Sequence, residues 1–165
     1  MLLIKMEQEH KNFDKLVNNL DILKGLYLNN FNEPALIQVK GITAINTGSD
    51  CIIQSQSGTG KTITFLLGCI NRILPTGRAL IMTPTRELAN QIYYVACSII
   101  KYSNLKIALC VGGTEIKQNT KYNENIIIGT TGRINHMISC KKLDISSITC
   151  YIIVCGGCEV YAVRV

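Results

Sequence analysis

Between Phe13 and Tyr27 the apolar positions Phe13, Leu16, Val17, Leu20, Leu23 and Leu26 recur every three or four residues, the spacing that lines one face of an α-helix. The pattern predicts an amphipathic helix over 13–28. Glu33-Pro34 interrupts it, and Pro34 suits the first turn of a second short helix, where a missing N–H costs nothing. Beyond residue 50 the pattern changes to short apolar runs bounded by turn residues: Cys51–Gln54, Ala79–Thr83, Lys106–Val111, Asn125–Gly129 and Tyr151–Cys155. Helix-length stretches at 61–74, 86–101 and 132–142 separate them. Strands alternating with helices predict an α/β fold, a parallel sheet with helices on both faces. Such strands are apolar throughout, as Ile126-Ile127-Ile128 and Ile152-Ile153-Val154 are.

Composition narrows the picture. The 165 residues match one globular unit, since a domain takes about 100–200. With 47% hydrophobic and 17% charged residues, wholesale disorder is excluded. No apolar run approaches the roughly 18 residues that span a bilayer, which predicts no membrane partner. The start, Met1-Leu2-Leu3-Ile4-Lys5-Met6-Glu7, is too short in apolar length and too soon acidic for a secretory signal. A cytoplasmic chain is expected, nuclear as the alternative, with its eight cysteines as reduced thiols. The net charge of +6 is compatible with a phosphate-rich partner.

The stretch Ser55-Gln56-Ser57-Gly58-Thr59-Gly60-Lys61-Thr62 follows a predicted strand and precedes a predicted helix, the setting of a phosphate-binding P-loop. Small residues let successive backbone N–H groups point into one concavity, and the helix end adds partial positive charge. Lys61 then reaches the terminal phosphates and the Thr62 hydroxyl holds Mg²⁺. The general pattern has Gly where this chain has Ser55.

Pro84-Thr85-Arg86-Glu87-Leu88-Ala89, together with Ser57-Gly58-Thr59-Gly60-Lys61-Thr62, resembles the DEAD-box ATP-dependent RNA helicases. Phe31-Asn32-Glu33-Pro34-Ala35-Leu36-Ile37-Gln38 is similar to that family's adenine-selecting Q motif, and Phe13, seventeen residues before Asn30, matches its upstream aromatic. Gly112-Gly113 and Thr130-Thr131-Gly132-Arg133 resemble two signatures tied to RNA contact, with Thr131 in place of the family's Pro. Within the family the wording looks closest to the initiation-factor-4A type. The resemblance implies a RecA-like P-loop NTPase domain over 13–165, preceded by an extension over 1–12, incomplete at its C-terminus and without the second helicase domain. It implies ATP and Mg²⁺ as cofactors, with Phe13, Phe31, Gln38, Ser57, Gly58, Thr59, Gly60, Lys61 and Thr62 at the nucleotide and Thr62 on the metal. It implies RNA as partner, met by Pro84, Thr85, Arg86, Gly113, Thr130, Gly132 and Arg133, and translation initiation factors as further partners. The chemistry agrees: a Gln amide donates to and accepts from adenine together. Arg86 and Arg133 supply charge to a strand held by its backbone.

The pattern breaks after the last strand. Where the family carries Asp-Glu-Ala-Asp, this chain has Cys155, Gly156, Gly157 and Cys158, then Glu159. Cys and Gly supply neither a hard oxygen ligand nor a general base, and losing the base alone costs about 10²–10⁴ in rate. Hydrolysis by this chain is therefore not expected. The family's next strand, by resemblance, lies between the P-loop strand and the acidic-motif strand. Its absence predicts an unfilled slot in the sheet and marginal stability. The tail from Glu159 to Val165 is unlike the family's following helix; an altered reading frame, a degenerating gene copy or a fragmentary sequence each explains it. Cys155 and Cys158 have the spacing of a metal or redox pair, but a zinc site needs four ligands, and only Cys150 and His136 stand as additions. The other cysteines, such as Cys51, Cys69 and Cys110, fit core positions. Three readings remain open at this level: an ATP-dependent RNA helicase represented by its N-terminal half, a nucleotide- and RNA-binding pseudo-enzyme, and a non-functional product.

Overall fold

The computed structural model describes residues 12–56, 58–113, 121–155 and 160–164. The expected helix over 13–28 divides into a single 3₁₀ turn, Phe13–Lys15, and a helix α1, Leu20–Leu28. Asn19 is the cause. Its backbone is extended, and its side-chain oxygen accepts from Asp21 N at 3.0 Å and Ile22 N at 3.1 Å. A short polar side chain that caps a new helix ends the preceding one. Pro34 lies just ahead of α2, Leu36–Asn46, whose N-cap is Ala35, rather than within its first turn.

Then follow β1 (Cys51–Gln54), α3 (Lys61–Ile73), β2 (Ala79–Thr83), α4 (Arg86–Ile100), β3 (Ile107–Cys110), β4 (Ile126–Thr130), α5 (Thr131–Ser139), β5 (Cys150–Cys155) and β6 (Val160–Arg164). The first eight of these elements fall on the runs that the pattern predicts; β6 has no counterpart among them. The sheet order is β1-β6-β5-β2-β4-β3. Strands β3, β4, β2 and β5 run parallel, while β6 is antiparallel to both β1 and β5.

The expected open slot between the P-loop strand and β5 is thus filled, and that expectation is corrected. Residues 156–159 connect β5 to β6. So short a link permits only an antiparallel return, because a parallel neighbour needs a crossover of a dozen or more residues. Val163 pairs with Cys51 on one side and Ile152 on the other and is 2% exposed.

One face of the sheet carries the main core. Ile53, Ile81, Ile126, Ile128, Ile152, Val154 and Val163 pack there with Phe65, Leu66 and Ile70 of α3 and Ile92 and Ile99 of α4. On the other face Leu80, Ala108, Cys110 and Ile127 meet Ile134 and Met137 of α5. That second cover stops short: Ile52 is 74% and Ile153 46% exposed, beside a cavity of about 990 Å³ that Met82, Tyr151 and Val163 also line. Among the described residues no helix is long and apolar enough to cross a membrane.

Candidate functional site

β1 delivers the chain into a turn that glycine alone adopts without strain. Gly58 has φ +77° and Gly60 φ +88°, both in the left-handed region. At Gly60 a Cβ would also stand 2.5 Å from Gln38 Nε2, so the turn and α2 can approach only without a side chain. Ser57 lies outside the described residues. Ser55, standing where the general pattern has Gly, shares a hydrogen bond between its Oγ and Thr59 Oγ1, and Thr59 Oγ1 donates to Gln56 O at 2.8 Å. Gly60 is the N-cap of α3, so the N-terminal end of this 13-residue helix, the positive end of its dipole, faces the turn.

Lys61, the first residue of α3, is buried, and its ammonium donates to the carbonyls of Ser55 at 2.6 Å and of Gln56. The loop's own acceptors thereby offset the cost of burying that charge. An incoming phosphate offers a charged acceptor in place of neutral ones, and charge-assisted hydrogen bonds are roughly twice as strong. Thr62 follows, half-buried, in the same first turn.

Gln38 reaches this turn from α2. It is buried, accepts at Oε1 from Ala35 N at 2.7 Å, and its Nε2 points at Gly60 O at 3.4 Å. Both edges of the amide are therefore presented at the mouth of the turn. Asn30, Phe31, Asn32, Glu33, Ala35, Gln38, Gly58, Thr59 and Gly60 line one cavity of about 540 Å³. Phe31, expected at the base, lines this cavity. Phe13 does not: it is fully buried in the main core, because the 3₁₀ turn that it opens packs its ring inward. Its expected place at the nucleotide is corrected. Asn30, with φ +63°, Asn32 and Glu33 join the cavity unforeseen; their position beside Phe31 was the available signal.

A second cavity of about 720 Å³ opens over the carboxyl ends of β2, β3 and β4, lined by Pro84, Thr85, Arg86, Glu87, Gly112, Thr130, Gly132, Arg133 and His136. Thr85 caps α4, accepting from Leu88 N at 3.2 Å. The buried Thr83 hydroxyl donates to Thr85 O at 3.0 Å and so fixes the turn that aims Arg86. The Arg86 guanidinium lies over the glycine pair: a Cβ on Gly112 would be 2.8 Å from Nη2, and one on Gly113 3.3 Å from Nη1. Thr130 is the N-cap of α5 without using its hydroxyl to cap, and α5 begins at Thr131 without a proline. Of the residues that the resemblance assigns to RNA, Pro84, Thr85, Arg86, Thr130, Gly132 and Arg133 line this cavity, while Gly113 does not line it and lies beside Arg86; Glu87, Gly112 and His136 complete the lining.

Beneath the groove, Cys110 is buried and its thiol is pushed up to about 12, chiefly by desolvation, with the Glu124 carboxylate adding and Arg133 opposing. Cys69 is likewise buried in the core and Cys51 half-buried. Cys150 is buried on the sheet beside Cys69, while His136 is in the groove, so the metal-ligand grouping weighed from sequence is not assembled. Among the described residues no group of three or more His, Cys, Asp or Glu could hold a metal ion.

The Gln38–Gly60 cavity, with the buried Lys61 next along the chain, has a chemistry that suits a purine nucleotide: a donor–acceptor amide, an aromatic ring, the N-terminal end of a helix and an ammonium. A Mg²⁺ ion is fitted less well. Thr62 supplies one hard oxygen, but β5 ends on the exposed Cys155, whose soft sulfur is a poor Mg²⁺ ligand. Residues 156–159 lie outside the described residues.

The model of the DEAD/DEAH box helicase family matches residues 35–154. Eukaryotic initiation factor 4A of Caenorhabditis elegans is 38% identical over 153 residues, covering 89% of this chain and 38% of that protein. ATP-dependent RNA helicase FAL1 of Mycosarcoma maydis is 40% identical over 137 residues, 79% of this chain and 34% of that protein. Among solved structures, S. cerevisiae Dbp5 bound to RNA and ADP BeF3 superposes with a TM-score of 0.78 at 29% identity, over 87% of this chain and 38% of that one. The chain thus spans less than two fifths of the length of the first of these curated relatives.

Proposed function

The chain belongs to the DEAD/DEAH box helicases, and from that membership we propose that it is the ATP- and RNA-binding part of an ATP-dependent RNA helicase of the initiation-factor-4A type. One observation carries the reading. The carboxyl ends of β1, β2, β3 and β4 all point to one edge of the sheet, the place where open α/β sheets bind ligands. There the Gln38–Gly60 cavity and the Arg86–Arg133 groove both open.

In this reading ATP supplies the reactive phosphates and the chain supplies recognition. Gln38 gives its amide to the adenine edge, exchanging its present contacts with Ala35 and Gly60. Phe31 stacks on the base. Lys61 turns from the Ser55 and Gln56 carbonyls to the phosphates, and the Thr62 hydroxyl takes one position on Mg²⁺. In the groove Arg86 and Arg133 bind successive phosphates of a single strand, and contacts of this type position RNA without reading its sequence. Translation initiation factors are the partners that the relatives' names suggest.

Cys155 favours a qualification of the same reading: the strand end that would carry a carboxylate for metal and water carries sulfur. In this reading Cys155 weakens the Mg²⁺ site, and ATP and RNA binding are the roles that the chain's own residues support.

The test is fluorescence anisotropy with a labelled single-stranded oligo-RNA. Arg86→Ala and Arg133→Ala each weaken binding by about tenfold or more and each lower the salt dependence by about 0.7 in log–log slope. Unchanged affinity in both variants refutes the groove.

A further inference from the structure

His136 was noticed in the sequence only as a candidate metal ligand. Its place in the structure is different. It lies on α5, three residues after Arg133, and the two share the groove wall with Arg86 across from them. Residues three apart on a helix are neighbours on one face, with Cβ atoms about 5–6 Å apart. The wall of the groove therefore continues one turn past Arg133. Gly132, where a Cβ would meet nothing within 4 Å, leaves the approach to this wall open. His136 is exposed. Among the described residues no hydrogen bond from its ring competes for it, whereas the side chain of Asn135, next on the helix, does not line the groove.

We propose that His136 is a further RNA-positioning residue, extending the phosphate track of Arg86 and Arg133 by one nucleotide along α5. An imidazole N–H donates to a phosphate oxygen or a ribose hydroxyl, and its ring can stack on an unpaired base; each keeps the strand against the wall after it leaves Arg133. The proposal rests on the RNA-binding reading above. A histidine in the last turn of a helix also complements the helix dipole, but that contribution changes stability and leaves ligand affinity alone.

The experiment is anisotropy of a labelled oligouridine RNA at about 0.15 M salt, where exposed charges more than about 8 Å apart are screened. The variants are His136→Ala, His136→Lys, His136→Glu and, as a control on the neighbouring face, Asn135→Lys. His136→Ala weakens binding about 3- to 10-fold. His136→Lys restores or exceeds the parent affinity and steepens the salt dependence by about 0.7. His136→Glu weakens binding beyond Ala, and Asn135→Lys changes it less than about twofold. Melting temperatures and ADP binding recorded on the same samples separate loss of fold from loss of contact. Parent-like RNA binding by both His136→Ala and His136→Glu overturns this proposal while leaving the groove standing. Absence of RNA binding by the parent chain overturns the groove and His136 with it.

Discussion

Val163 is the residue on which the repaired sheet turns. It is 2% exposed, its strand lies between β1 and β5, and among the described residues β1 has no ladder partner other than β6. Truncation to Ala removes two methyl groups, each worth about 0.8 kcal/mol on burial. With the cavity term the loss comes to about 2 kcal/mol. Val163→Asp instead buries an unpaired carboxylate, at a cost of about 3–5 kcal/mol, a large part of a typical stability of about 5–15 kcal/mol. At roughly 2–4 °C per kcal/mol for a chain of this size, the thermal midpoint followed by circular dichroism should fall by about 4–8 °C for Ala and by about 6–20 °C for Asp. Nucleotide affinity should fall in the same order, because β1 carries the P-loop. Arg164→Ala is the control. Its side chain is 81% exposed and sits 3.9 Å from the exposed Asp50, and surface pairs of this kind contribute little, so its melting temperature should match the parent. Parent-like stability and nucleotide binding in Val163→Asp would refute the placement of β6 inside the sheet.

Other outcomes follow from the site. Gln38→Ala removes the acceptor for Ala35 N and the amide facing Gly60; labelled-nucleotide titration should show about tenfold weaker ATP binding and a reduced preference for ATP over GTP. The Cys110 thiol, raised from 9.0 to about 12, favours the folded state fully while both states are protonated. Its contribution is present below about pH 9 and is lost as pH climbs toward 12. Melting temperatures should therefore decline over that interval, less steeply in Cys110→Ala measured against its own stability at neutral pH. In the native protein at pH 8, iodoacetamide should label the exposed Cys140 and Cys155 well ahead of Cys110, as peptide mass spectrometry can follow.

The legible and illegible parts of the chain differ for physical reasons. β1 and β2 fall on the expected residues because an apolar run between turn residues has one natural outcome in a parallel sheet. The stretch 13–28 misled because periodicity is blind to capping: Asn19 breaks a helix whose apolar spacing continues across the break. Phe13 fits a core position and a base-stacking position equally well by hydrophobicity; only packing separates them. β6 was hidden because its place is set by the short return from β5 and by a gap one strand wide between β1 and β5, neither of which is a local property of Val160–Arg164. At the site, the P-loop, Gln38 and the two arginines were readable since their chemistry demands particular residue types. Glu87 and His136 were not, since what places them in the groove is their turn on α4 and α5.

The most direct measurement is a titration of the parent chain and of Lys61→Ala with fluorescent ADP. Saturable binding by the parent, lost when the ammonium now seated on Ser55 and Gln56 is removed, is the predicted result. A parent that takes up no nucleotide, or a Lys61→Ala chain that binds as well as the parent, contradicts it.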